Sequence, residues 1–412
     1  MTTTAPAGRT RSRRPVLVHV TTTDISLELL LGPQLSAFVE AGYEVIGASA
    51  PGPFVEQVEA RGVRHVPLTH ATRAMAPHRD VLALGELWRL FRELRPDVVH
   101  THNPKPGLYG RLAARAARVP VVVNTVHGLY ALPGDPWPKR AVVYGLERLA
   151  STCSDAELVQ NPEDVDVMRR VLRVPAAKVT LLGNGIDLAR FGRGRFAAPA
   201  DRDAVRSRVR AEWGVEPGTV VVGAVGRMVL EKGYAELLTA WEQVRGVHPS
   251  AVLVVAGPAD PDKADAVPAA LIDRARGSGV RFLGLRPDVD DLYLGFDLYV
   301  LASHREGFPR SAMEAAAAGL PIVATDIRGC RQVVDHGVTG LLVPPRAAGP
   351  LAAALIDLVG DPDRRAAMAG AAAEGAVERF DQQRVIDTTL STYARLLHQA
   401  GRAPARAQAG RP

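Results

Sequence analysis

Short valine-rich runs alternate with longer amphipathic segments along almost the whole chain, and this pattern constrains the fold more than any other feature. The runs are Val16–Val20, Glu44–Ala48, Asp97–Thr101, Val119–Thr125 and Glu157–Gln160 in the first half. Thr219–Val225, Ala251–Ala256, Arg281–Leu283, Leu298–Leu301, Pro321–Thr325 and Gly340–Val343 follow in the second. Runs that are apolar on both faces suit strands covered on both sides, as in a parallel sheet. The segments between them carry periodic apolar faces, as in Tyr234–Val244 and Pro309–Ala318, and predict helices. Strict strand–helix alternation implies doubly wound α/β sheets, in which ligands bind beyond the C-terminal ends of the strands.

The series breaks between Asn184 and Arg210, where Gly192-Arg193-Gly194-Arg195 and Pro199 accumulate. A chain of 412 residues exceeds one ordinary core, so a domain boundary is expected there, near residue 195. The expected organisation is a first domain over 15–195, a second over 196–380, and a helix over 381–400 returning to the first. Residues 1–14 and 401–412 read as disordered tails.

Composition excludes several classes. Apolar residues make up 47% and charged residues 23%, an ordinary balance for a folded protein. Arg, Asp or Pro interrupts every apolar run before it reaches bilayer length, and no hydrophobic segment follows the arginines at 9–14. Cys153 and Cys330 are far apart with no metal-ligand spacing, which suits a reducing compartment. The chain therefore reads as cytoplasmic, with room for contact at a membrane surface. No basic stripe interleaved with aromatics and no zinc pattern points to nucleic acid.

Two clusters in the second half carry chemistry. Gly223-Ala-Val-Gly226-Arg227 and Glu231-Lys232-Gly233 follow a strand and lead into a helix, where backbone N–H groups and the helix start favour an anion. Arg227 as a fork and Lys232 as a point charge can reach the same diphosphate. Read alone, the segment equally fits a turn with two solvated cations. The second cluster is Glu306-Gly307-Phe308-Pro309-Arg310, with Glu314 one turn on. Pro309 fits a first helical position and Gly319 a helix end. Two glutamates beside a cationic site suit hydrogen bonds to sugar and ribose hydroxyls, although such spacing is common by chance.

Taken together, Arg227, Lys232, Glu306-x7-Glu314, Gly319-Leu-Pro-Ile-Val-Ala-Thr-Asp-Ile-Arg-Gly329 and Asn184-Gly-Ile-Asp187 resemble the retaining glycosyltransferases of family 4. The likeness spans about residues 15–400. It implies a GT-B fold, two Rossmann-like doubly wound parallel-sheet domains facing a cleft. It also implies roles for Arg227 and Lys232 on the donor diphosphate, Glu314 on the ribose and Glu306 on the donor sugar. Gly226, Asn184 and the backbone at Phe308 and Pro309 would complete the donor contacts, with Leu283-Gly-Leu-Arg286 by the nucleobase.

In the first half, His102-Asn-Pro-Lys105-Pro-Gly, Thr125-Val-His127-Gly and Glu147-Arg148 resemble bacterial members that assemble capsule, O-antigen or lipid-linked oligosaccharides. That likeness implies a hexose or hexosamine donor, most simply a UDP-sugar, and a polyprenyl-diphosphate-linked sugar acceptor. It sets His127 beside the reacting carbon and His102 and Lys105 on the acceptor side. The first loop, Val20-Thr-Thr-Thr-Asp24-Ile-Ser26, lacks the paired glycines common in the family, which leaves Ser26 or Thr23 for acceptor contacts. Lys105, Arg111, Arg115 and Arg118, with no acid between them, read either as a basic helix face for anionic lipid or as a solvated one.

The mechanism implied is retaining transfer through an oxocarbenium-like state, with Arg227, Lys232 and the helix start at Pro309 stabilising the leaving diphosphate. Asp-x-Asp recurs at 164/166, 260/262, 288/290 and 361/363, too often to mark a metal site, so no metal or other cofactor is expected. A sugar-nucleotide epimerase of the same architecture, or a silent nucleotide-sugar binder, remains an alternative.

Overall fold

The computed structural model describes residues 13–72, 77–102, 104–131, 134–259 and 265–403. Asn103, Lys263, the pair Asp260/Asp262 and most of both expected tails lie outside these residues. The chain divides into two compact units, one of residues 1–182 with 386–412 and the other of 183–385.

Among the described residues the first unit holds seven strands: β1 (Val16–Thr23), β2 (Glu44–Ala50), β3 (Arg64–Pro67), β4 (Val98–His102), β5 (Val121–Val126), β6 (Ala156–Val159) and β7 (Val179–Leu181). They pair in parallel in the order β3-β2-β1-β4-β5-β6-β7. The strand order reverses between β1 and β4, the place where open sheets of this kind take ligands. Leu17, Val45, Val98 and Val123 pack under the helix Gly32–Glu40 and the C-terminal helix Gln382–Gln399. Val18, Val20, Val99 and Val122 pack against the opposite layer, from the helices Pro77–Leu94 and Pro104–Ala116. Burial on both faces is why the sequence of these strands is continuously apolar.

The second unit repeats the plan with β8 (Val221–Val225), β9 (Val252–Ala256), β10 (Val280–Gly284), β11 (Leu298–Leu301), β12 (Ile322–Thr325) and β13 (Gly340–Val343). The order is β10-β9-β8-β11-β12-β13, again all parallel, with the reversal between β8 and β11. Trp241, Leu253 and Leu355 fill one side, and Tyr293, Tyr299 and Met313 the other.

The crossing between units falls at residue 182, earlier than the expected 195. The segment rich in glycine and arginine is no linker. Phe191 enters the core of the second unit. Arg190 and Arg195 pair with Asp290 at 2.6 and 2.9 Å, and Arg195 also reaches Asp291 at 2.7 Å. The boundary coincides instead with the end of the edge strand β7.

Candidate active site

In the second unit the two sequence clusters come together at the reversal between β8 and β11. The chain leaves β8 at Gly226, passes Arg227 and makes a short helical turn, Leu230–Lys232. Gly233 ends that turn at φ 72°, where a side chain would meet the Ala302 carbonyl oxygen at 1.9 Å. Only glycine permits both that backbone conformation and that approach. The loop after β11 is stapled alongside, since His304 N–H donates to the Glu231 carbonyl at 2.9 Å.

Lys232 Nζ then sits 2.6 Å from Glu306 Oε1, which also accepts from Ser303 Oγ at 2.7 Å. A Cβ at Gly329 would lie 2.7 Å from the Glu306 carbonyl oxygen, so the loop closes against β12 only because glycine stands there. Pro309 is the N-terminal cap of the helix Arg310–Ala317, which therefore starts one residue later than expected. The Phe308 carbonyl accepts from Asn184 Nδ2 at 3.2 Å. Asn184 thereby fixes the loop that leads into the helix.

Glu314 accepts from Tyr293 Oη at 3.0 Å, and its other oxygen lies 3.9 Å from Arg310 Nε. Burial raises its pKa above the ordinary range, against the pull of Arg310 and the tyrosine. Arg286 is apart from these groups, after the edge strand β10. It is held by Asp288 and Glu212, whose carboxylates keep the guanidinium protonated.

In the first unit, four imidazoles gather at the reversal between β1 and β4. His19 pairs in register with His100, and His102 with Thr125. His127 follows the last residue of β5. His19 Nδ1 lies 2.9 Å from His102 Nε2, and His102 Nδ1 lies 3.1 Å from His127 Nε2. His100 bonds Thr125 Oγ1 at 2.7 Å and the hydroxyl of Tyr393. Burial lowers the pKa of His19 to about 3 and of His127 to about 4. Burial and the neighbouring imidazoles hold His100 and His102 well below their usual range. These rings are therefore neutral at pH 7.

Nitrogens of His19, His100 and His102 lie within 4.8 Å of one another, the one such grouping among the described residues. His100 and His102 are tilted by only 31° at 4.2 Å between centroids. Both nitrogens of His100 and of His102, and Nδ1 of His19, already hold the hydrogen bonds above, so the grouping fits a cation poorly.

Two acceptor-side expectations need correction. His102 is 1% exposed and bonded on both sides, so it stands behind His127 and touches no acceptor. Arg111 is wholly buried and donates to Glu157 and Glu147, each at 2.7 Å, so the basic helix face does not exist as expected. Of its other members, Lys105 pairs with Asp80 at 2.6 Å and Arg115 with Asp155 at 2.9 Å. Ser26 is half-buried and opens a wide helical turn, Ser26–Leu30, closed by Leu31 N–H on the Ser26 carbonyl at 3.2 Å. The loop before it is tied by Asp24, which accepts from Ile25 N–H at 2.8 Å and Phe54 N–H at 2.7 Å. Sequence reasoning passed over His19, whose signal was a lone histidine in an apolar strand facing the same side as two others.

A chain of two parallel-sheet units, one of them carrying a Lys–Glu pair and a glycine-bounded loop at its strand reversal, is what a GT-B transferase is built from. Residues 34–190 match the family described as Glycosyltransferase Family 4, and residues 205–375 match Glycosyl transferases group 1. A D-inositol 3-phosphate glycosyltransferase of Rhodococcus erythropolis is 31% identical over 84% of this chain and 80% of its own length. The Escherichia coli UDP-Gal:alpha-D-GlcNAc-diphosphoundecaprenol alpha-1,3-galactosyltransferase is 29% identical over 64% of this chain and 67% of its own. Among solved structures, Anabaena HepE in complex with UDP superposes with a TM-score of 0.75 at 21% identity, over 92% of this chain and 100% of that one. This chain belongs to the family 4 glycosyltransferases of the GT-B fold.

Proposed function

We propose that the protein moves a hexose or hexosamine from a UDP-sugar, with retention at the anomeric carbon, to a polyprenyl-diphosphate-linked sugar. The observation that carries this reading is the Lys232–Glu306 pair at the strand reversal of the second unit. Lys232 and Arg227 offer positive charge to the diphosphate, and Glu306 offers a carboxylate to sugar hydroxyls. As the bond from sugar to phosphate breaks, charge grows on the leaving oxygen, where fixed cations act most strongly. Glu314, beside Tyr293, is placed to accept from ribose hydroxyls. His127 remains neutral and orients the sugar. The named activity of the Escherichia coli relative, on a diphosphoundecaprenol-linked sugar, supports the acceptor class.

A membrane surface suits such an acceptor, and the helix Trp137–Ser151 supports it. Two of its charged residues turn inward, Arg140 over the Tyr144 ring and Glu147 to Arg111, while Lys139, its side chain 39% exposed, pairs with Asp135 at 2.9 Å. Its exposed face carries Trp137, Val142, Leu146 and Leu149, with Arg148 as the charge. Helix Pro77–Leu94, in the same layer, exposes Val81, Leu82 and Trp88 together with Arg79, Arg89 and Arg92. Apolar side chains among arginines match an anionic bilayer. No helix among the described residues is long and apolar enough to cross one.

The test is nucleotide release from a panel of UDP- and GDP-sugars, with and without polyprenyl-diphosphate-linked acceptors, in buffer containing excess EDTA. Release that needs both donor and lipid-linked acceptor, with Lys232→Ala slower by about 100–1000-fold, is expected. Turnover of donor without acceptor would make the protein an epimerase, and loss of activity in EDTA would end the metal-free reading.

A further inference from the structure

We propose that Tyr293 is the positioning residue for Glu314, and that through it the second unit tells the ribose of a nucleotide from its deoxy forms. The proposal rests on the reading above, in which Glu314 accepts from the ribose, and adds the group that holds it to that task.

The two residues meet from different helices. Tyr293 lies in Val289–Gly295, and Glu314 in Arg310–Ala317, which begins just after the loop of Glu306. Tyr293 is wholly buried. Phe191 and Phe296 meet its ring edge-on, each at 6.0 Å, and Tyr299 lies at 5.8 Å. A ring packed on three sides at interior density holds its hydroxyl in one place.

That hydroxyl lies 3.0 Å from Glu314 Oε2 and 3.0 Å from the Ser311 carbonyl oxygen. A phenol has one proton to give. Ser311 stands inside the helix, whose own ladder supplies its carbonyl with an N–H. The carboxylate offers the stronger, charge-assisted bond. The proton therefore goes to Glu314. Burial and the facing carboxylate hold the Tyr293 pKa well above the ordinary range, so it stays a donor. Tyr299, the neighbouring phenol, spends its hydroxyl on the Val225 carbonyl at 3.2 Å.

This bond makes the two carboxylate oxygens unequal. Oε2 is turned to the buried phenol. Oε1 has Arg310 Nε at 3.9 Å, beyond hydrogen-bond reach, and the side chain keeps 13% exposure. Oε1 is thus the oxygen with lone pairs for a ligand's hydroxyls. Arg190, whose charge also reaches Glu314, is paired with Asp290 at 2.6 Å. Without the phenol, Arg310 is the donor within a short swing, and a carboxylate turned to it is lost to the ribose.

The experiment is titration calorimetry with UDP, 2′-deoxy-UDP and 3′-deoxy-UDP, which requires neither the donor sugar nor the acceptor. Wild type is expected to bind UDP at least about tenfold tighter than the weaker analogue, the scale of one charge-assisted hydrogen bond. Tyr293→Phe should cut this preference to within about threefold by weakening UDP, with the weaker analogue unaltered. Glu314→Ala should abolish it, and adding Tyr293→Phe should then change UDP binding by less than about twofold. Arg310→Met, at a partly exposed site, should keep the wild-type preference.

A preference retained in folded Tyr293→Phe overturns the proposal. Equal weakening of all three nucleotides does so too, because that marks a ring that only packs. Where Tyr293→Phe does not fold, Arg310→Met decides: loss of the preference there makes Arg310 the holder of Glu314 and overturns the assignment to Tyr293. Equal binding of all three by wild type takes the ribose from Glu314 and this proposal with it, while slow transfer in Lys232→Ala would leave the diphosphate reading standing.

Discussion

Arg111 illustrates how far a single side chain can be from what its charge suggests. It crosses beneath β5 and β6 to Glu157, which is fully buried and also accepts from Asn124 Nδ2 at 2.8 Å and Ser154 Oγ at 2.5 Å. Burial raises the Glu157 pKa and Arg111 opposes the rise. Breaking a buried pair by removing one partner costs about 3–5 kcal/mol, because the other charge is left in a poor medium. Arg111→Met should therefore lower the urea stability of the first unit by about that amount. The double replacement Arg111→Met with Glu157→Gln should recover much of it. A single variant within 1 kcal/mol of wild type would show the pair to be dispensable.

At the scale of strands, the four histidines couple the first sheet to pH. His19 titrates near 3 and His127 near 4 in the folded state, against about 6.5 in an unfolded chain. Below pH 6.5 the unfolded chain binds more protons than the folded one. Stability contributed by these groups is thus complete above 6.5 and drains away as pH falls toward 4. Each lowered group can contribute a slope of about 1.4 kcal/mol per pH unit. Urea unfolding at pH 7.5 and pH 5.0 should show a loss of several kcal/mol, and equal midpoints would contradict it.

The same strands show what sequence could and could not give. Runs buried on both faces, from β1 to β13, were legible as apolar stretches. The edge strands β3 and β7 were not, because Arg64 and His65 or a mere three residues leave no pattern to read. In the second unit the meeting of Lys232 with Glu306 was legible because spacing and loop position converge on one strand reversal. In the first, side-chain direction decided the outcome: alternation in β4 turns His100 and His102 inward, and helix phase buries Arg111. Neither fact is carried by residue type.

For the molecule as a whole, the outward apolar rows on helices Pro77–Leu94 and Trp137–Ser151 predict association with anionic vesicles. Co-sedimentation with phosphatidylglycerol-containing liposomes should exceed that with neutral ones and weaken as salt rises. Replacing Trp137 and Leu146 by Asp should reduce it at least severalfold without altering donor binding. Equal sedimentation of variant and wild type would dismiss this surface.

The C-terminal helix Gln382–Gln399 has a consequence of its own. Tyr393, Leu396 and Leu397 complete the core of the first unit, and Tyr393 is the partner of His100. A ribosome delivers these residues only after the whole of the second unit. Domains made first usually fold first during synthesis. Here the order is inverted: the half begun earlier is sealed later, and until Tyr393, Leu396 and Leu397 emerge its central strands wait for their final neighbour.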